Sequence, residues 1–159
     1  MTVSYDPNYR AALWDNEERA LQEMKAALPL ADIVKVSDEE LQLLTGTSHL
    51  ELGSKALAEA GPWLVLVTLG ADGVFYRMGG NTGHVPGRRV TVADTNGAGD
   101  TFFGAVLTKL TGLSDMRAMA VQQLEVILRF ANAAASITTS RSGAIPAMPT
   151  LAETLAALD

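Results

Sequence analysis

The chain has 159 residues, 48% of them hydrophobic and 19% charged, with a formal net charge of −6. That length and apolar content are enough for a buried core, which excludes a disordered polypeptide, and an acidic balance with scattered basic residues argues against a nucleic-acid surface. There is no cysteine, hence no disulfide, thiolate metal site or cysteine nucleophile. No signal peptide or bilayer-spanning run is legible, so a soluble cytoplasmic protein is expected.

Val3-Ser4-Tyr5 reads as a short strand stopped by Asp6-Pro7-Asn8. A helix follows on the spacing of Trp14, Leu21, Met24 and Leu28, with Asp15 and Glu18 as its capping pair and Pro29 near its end. Ile33–Val36 predicts a strand. Ser37-Asp38-Glu39-Glu40 opens a short helix that stops at Thr45-Gly46, and a second helix covers about 50–60. The run "WLVLVTLG" has the composition of a strand buried on both faces. Turns at 70–73 and 79–81 bracket a strand at 74–77, and a short strand follows near His84-Val85. The last third predicts helices over about 101–110, 116–139 and 151–158. This order predicts one α/β unit over 1–159, with a mostly parallel sheet and an antiparallel edge.

The segment "VADTNGAGDTFFGAVL", residues 92–107, sets two aspartates around a small turn at the start of an apolar helix. Gly97 and Gly99 permit backbone angles closed to other residues and leave their N–H groups unshielded. A helix N-terminus carries unsatisfied donors and partial positive charge, so the turn predicts an anion cradle suited to phosphate. Asp100 falls in the first helical turn, where the helix end favours its ionised form and where it can take a proton from an attacking hydroxyl. Phe102, Phe103, Val106, Leu107 and Leu110 form the stripe that anchors the helix. The same string also suits a plain strand-to-helix turn with a capping aspartate. Two common phosphate motifs do not apply. Phe102 occupies the third glycine position of a dinucleotide fingerprint, and no G-x-x-x-x-G-K-[ST] string occurs.

With these residues in view, "DTNGAGDTFFGAVL" resembles the C-terminal signature of the ribokinase-like (PfkB) carbohydrate kinases. "VTLGADGVFY" and "FANAAASITTSRSGAIPAMPT" resemble that family's nucleotide-site turn and closing helix and loop. "SYDPNYRAALW" and "VKVSDEELQLLTG" resemble its fructokinase and 2-keto-3-deoxygluconate kinase branch. The resemblance implies a three-layer α/β fold and ATP-dependent phosphorylation of a sugar hydroxyl, with fructose as the leading acceptor. Asp100 matches the catalytic base, and Gly97, Ala98 and Gly99 match the anion hole. Asp94 and Asn96 match the start of a monovalent-cation (K+) site completed by residues 138–147. Thr68, Gly70, Ala71, Asp72, Gly73 and Asn132 match the adenine-nucleotide pocket. Asn8, Tyr9, Arg10 and Ser37 match further nucleotide or substrate contacts, and Glu40 matches a residue that organises Mg2+.

Two departures stand out. Ser37 replaces the family's usual asparagine, and Ser-x-x-Glu is also a helix capping box. Members of the family are about twice as long, so the chain is read as a C-terminal half, with the N-terminal half and lid absent. The expected partners are ATP and a small sugar, with no nucleic acid or membrane and a homodimer for the full-length enzyme. A non-catalytic nucleotide-binding fragment is the rival from another class. An oxidoreductase holding a dinucleotide on the glycine turn is disfavoured by Phe102. His49 and His84 are too isolated for a metal site.

Overall fold

The computed structural model describes residues 1–158. Its five-stranded sheet follows chain order: β1 (Ser4–Tyr5), β2 (Ile33–Ser37), β3 (Leu64–Thr68), β4 (Val74–Met78) and β5 (Asn81–Val85). β1 runs parallel to β2, and β2 parallel to β3 in the register Ile33 to Leu64 through Ser37 to Thr68. β4 and β5 are joined through Gly79-Gly80, with Gly79 at φ 57°. So short a link permits only an antiparallel hairpin, because a parallel return needs a crossover of a dozen or more residues. The mixed sheet expected from the sequence is therefore present.

Contacts divide the chain into two compact units, Met1–Leu69 with Phe75–His84, and Gly70–Val74 with Val85 onward. In the first unit, α1 (Glu17–Ala27), α2 (Asp38–Thr45) and α3 (Leu50–Glu59) supply the helices. Val34, Val36, Val65 and Val67 pack with Met24, Leu41 and Leu57 in one apolar cluster. The opposite-face residues Ile33, Leu64 and Leu66 are also buried, as the unbroken apolar run requires. Each such side chain stabilises the fold by about 1.5–3 kcal/mol. In the second unit, α4 (Ala98–Thr111) packs on α5 (Val121–Thr139), followed by α6 (Leu151–Ala156). No helix among the described residues is long and apolar enough to cross a membrane.

Three helix starts differ from expectation. α1 is capped by Asn16, whose Oδ1 accepts the Arg19 N–H at 2.8 Å, while Asp15 instead pairs with the Arg19 guanidinium at 3.0 Å. Trp14 therefore lies before the helix, packed against the unit's core. α4 begins at Ala98, because the left-handed Gly97 redirects the chain straight into it. α5 begins only at Val121, because the Asp115 carboxylate accepts the Arg117 and Ala118 N–H groups in a turn that competes with helix.

Candidate active site

The second unit holds the glycine turn in place from two directions. The N–H groups of Ala93 and Asp94 both donate to the Thr139 carbonyl, at 2.9 and 3.2 Å. The Asp94 carboxylate accepts the Asn96 N–H at 2.9 Å and the Gly143 N–H at 3.1 Å. These backbone donors, Asn96 first, hold its pKa below the usual carboxylate range. Gly97 then takes φ 77°, and Thr101 N donates back to its carbonyl at 2.8 Å. Below the surface, the Thr138 hydroxyl donates to the Thr101 hydroxyl at 3.0 Å, tying the start of α4 to the end of α5.

No side chain caps α4, nor α3 or α5, whereas Asn16, Ser37 and Thr150 cap α1, α2 and α6. The Ala98 N–H donates to the Thr95 carbonyl at 3.3 Å, and the remaining first-turn donors suit an external acceptor, as an anion cradle requires. Phe102, Phe103, Val106 and Leu110 are buried, Leu107 is half-buried, and Asp100 is exposed. The expectation of two left-handed glycines is corrected to one, since Gly99 lies inside α4 and only Gly97 has positive φ. What Gly99 offers at the helix start is the lack of a side chain.

The loop after α5 is itself fastened. The Arg141 guanidinium pairs with Glu153 at 2.5 Å, and Glu153 also accepts the Thr150 N–H at 2.7 Å. Arg141, and then the Thr150 donors, pull the Glu153 carboxyl from 4.5 to about 2. A carboxylate depressed on folding stabilises the native state fully above its unfolded pKa and less as pH falls toward its folded pKa. Wild type should therefore melt higher than Glu153→Gln at neutral pH. That gap should close between about pH 4.5 and 2, read from thermal unfolding across that range.

Candidate nucleotide residues gather in the same unit. Gly70–Asp72 forms one 3-10 turn, and Gly73 follows at φ 96°. A Cβ on Gly73 would lie 2.2 Å from the Val85 carbonyl oxygen, and one on Gly87 would lie 2.4 Å from that of Ala71. Only glycine permits this backbone approach. Asn132, 7% exposed on α5, donates from Nδ2 to the carbonyls of Val85 at 3.2 Å and Pro86 at 3.0 Å. Its amide thereby fixes the wall of the candidate pocket. Asn132→Asp would set a third acceptor against two carbonyls, and an unmade buried hydrogen bond costs about 1–3 kcal/mol, more when charged. Chemical denaturation should show that loss, with Asn132→Ala nearer its lower end.

Asn8, Arg10, Ser37, Glu40 and Thr68 belong to the first unit. Ser37 and Glu40 form a complete capping box, with Ser37 Oγ accepting Glu40 N at 3.1 Å and Glu40 Oε2 accepting Ser37 N at 2.8 Å. Glu40 Oε1 accepts the Tyr9 N–H at 2.6 Å. Thr68 Oγ1 donates to the Val36 carbonyl at 3.3 Å. Arg10 is exposed, and Asn8 is the one non-glycine residue of positive φ among those described. Among the described residues, no three His, Asp or Glu side chains gather to hold a metal ion. A carboxylate has about four lone-pair sites. Asp94 and Glu40 each accept two backbone N–H groups, and Asp94 is half-exposed whereas Glu40 is 8% exposed.

Sequence reasoning missed three ties: Lys35–Asp6, Thr101–Thr138 and Arg141–Glu153. The Thr150-x-x-Glu153 string could have flagged the capping box that orients Glu153, though nothing in it points to Arg141. No sequence signal pairs Lys35 with Asp6, which are 29 positions apart.

The chain matches the family model for pfkB family carbohydrate kinases over residues 1–151. It is 43% identical over 158 residues to fructokinase-2 of Solanum habrochaites, covering 98% of this chain and 48% of that protein. Its structure is similar to that of a double-mutant fructokinase from Vibrio cholerae O395 in fructose, ADP and potassium ion bound form. The TM-score is 0.92 at 36% identity, over 99% of this chain and 50% of that one. A fructokinase from Xylella fastidiosa with bound ATP is similar at TM-score 0.88 and 35% identity, over 99% and 51%. The chain spans about half the length of fructokinase-2 of Solanum habrochaites. The fold is ribokinase-like α/β. Taken together, the glycine turn, the uncapped helix start and a family match running through both units make this chain a member of the pfkB family of carbohydrate kinases.

Proposed function

We propose that the chain is the nucleotide- and phosphate-binding half of an ATP-dependent sugar kinase that converts D-fructose to fructose 6-phosphate. The observation that best supports this is the Asp94–Asp100 turn, with its left-handed Gly97, uncapped α4 and exposed Asp100. In this reading the sugar's primary hydroxyl oxygen bonds to the γ-phosphorus, the bond from that phosphorus to the ADP oxygen breaks, and Asp100 takes the hydroxyl proton. The backbone donors of Gly97 and Gly99, with that of Ala98 exchanging its 3.3 Å bond to the Thr95 carbonyl, stabilise charge on the transferring phosphoryl oxygens, and one such donor is worth about 3 kcal/mol. Mg2+ on the nucleotide would neutralise phosphate charge. A potassium ion, named for the Vibrio neighbour, would sit against Asp94, Asn96 and the loop at 138–147. Within the second unit the Gly70–Gly73 turn and the wall held by Asn132 take the nucleotide; the family resemblance also assigns Thr68, Asn8, Arg10 and Ser37 of the first unit to nucleotide or substrate contacts.

Both units act as parts of one catalytic domain in the cytoplasm, serving ATP and a sugar without nucleic acid, and the full-length enzyme is a homodimer. Fructose is favoured over 2-keto-3-deoxygluconate because fructokinases lead both the relatives and the structural neighbours. The test is calorimetry of the purified chain with ADP, beside ADP release in the presence of Mg2+, ATP and each sugar. Fructose-dependent release supports the full reading. Nucleotide binding without turnover reduces the chain to a binding module, and an absence of binding removes the reading.

A further inference from the structure

We propose that Glu40 is a positioning residue, clamping the arm at Asp6–Arg10 to the start of α2 instead of organising a metal ion. The carboxylate bridges two backbone N–H groups distant in sequence, Tyr9 at 2.6 Å and Ser37 at 2.8 Å. Bonds from an ionised acceptor to amides are about twice as strong as neutral ones, and burial strengthens them further. Glu40 is 8% exposed, so little of its carboxylate faces the solvent from which a hydrated ion would approach.

The other end of the arm is fixed independently. Asp6 Oδ2 pairs with Lys35 at 2.8 Å, with the two side chains 17% and 7% exposed, and Asp6 Oδ1 accepts the Asn8 N–H at 3.1 Å. Between these anchors Asn8 sits at φ 45°, a conformation that persists in a non-glycine residue when its surroundings impose it. The Tyr9 carbonyl then accepts the Arg10 guanidinium at 2.8 Å. Tyr9 is thus held through its N–H by Glu40 and holds Arg10 through its C=O. The clamp presents an exposed guanidinium, whose fork of donors suits phosphate or carboxylate oxygens. That this anion is a nucleotide phosphate rests on the kinase reading; the clamp does not.

Residue-resolved amide exchange on the purified chain tests it, with Glu40→Gln, Ser37→Ala and titration by Mg2+ alone. The Tyr9 amide should be protected in wild type. It should exchange about tenfold or more faster in Glu40→Gln, where one amide is left facing an NH2 group. Ser37→Ala removes the hydroxyl of the cap and should leave Tyr9 protected, which separates arm positioning from helix capping. Mg2+ alone should not shift the Tyr9, Ser37 or Glu40 amides. An unprotected Tyr9 amide in wild type overturns the clamp even if the variant fails to fold. So does unchanged exchange in Glu40→Gln, equal acceleration in Ser37→Ala, or a saturable Mg2+ shift at these amides. None of these readouts requires turnover, so they fail or succeed separately from the sugar-kinase reading.

Discussion

Replacing Asp100 with alanine is expected to lower kcat for sugar phosphorylation by about two to four orders of magnitude, the usual worth of a general base. Nucleotide affinity should stay within a few-fold. The separation follows from position. Asp100 is exposed in the first turn of α4, apart from Phe102, Phe103, Val106 and Leu110, which hold the helix on the core. Losing its charge at a helix N-terminus costs about 0.3–1 kcal/mol of stability, too little to unfold the domain. Asp100→Asn keeps the shape and removes the base, so its kcat should fall nearly as far. Steady-state kinetics on a turnover-competent preparation, beside ADP calorimetry, decides the matter. Near-wild-type kcat in both variants would remove Asp100 from the chemistry.

Gly97→Ala should disable the cradle and destabilise the second unit, and the chain carries its own control. Gly97 and Gly46 share φ 77°, yet nothing lies within 4 Å of a Cβ placed on Gly46. A Cβ on Gly97 would lie 3.0 Å from the Ala144 Cβ and 3.1 Å from its Cα. Gly46→Ala therefore measures left-handed strain alone, about 1–2 kcal/mol. Gly97→Ala adds overpacking, typically about 1–3 kcal/mol. The excess should shrink in the Gly97→Ala, Ala144→Gly double variant, because the two substitutions share one contact. Phosphate transfer should not recover with it, since the cradle also depends on the backbone angle. Denaturation midpoints of the four proteins check the ordering. Equal costs at Gly46 and Gly97 would mean that Ala144 does not brace the turn.

Much of the candidate site was legible because its residues are neighbours in sequence. Gly97 and Asp100 are three residues apart at one helix start. The Ser37 to Glu40 capping box lies within one turn. Such features follow from backbone stereochemistry and short-range hydrogen bonding, which neighbouring residues dictate. The mixed character of the sheet was likewise legible, since β3 is an unbroken apolar run and β4–β5 a short hairpin. Helix starts were less so. Asn16 outcompeted Asp15 as the cap of α1, and the Asp115 turn delayed α5, each through one side-chain hydrogen bond that periodicity does not weigh.

Tertiary structure alone decided which groups are already engaged. Asn132 spends its amide on Val85 and Pro86, Asp94 is bonded to Gly143, and Glu40 reaches back to Tyr9, across separations of 46 and 47, 49 and 31 positions. Residue type reveals what a side chain is able to bind. Whether its hydrogen bonds are already made depends on which distant segment the fold delivers to it, and on how little water remains there. By itself the sequence therefore determined the glycine turn at a helix start and the mixed character of the sheet. The fold decided that Asp100 stands exposed, while Asp94 braces the glycine turn, Asn132 the Val85–Pro86 backbone and, in the other unit, Glu40 the arm at Tyr9.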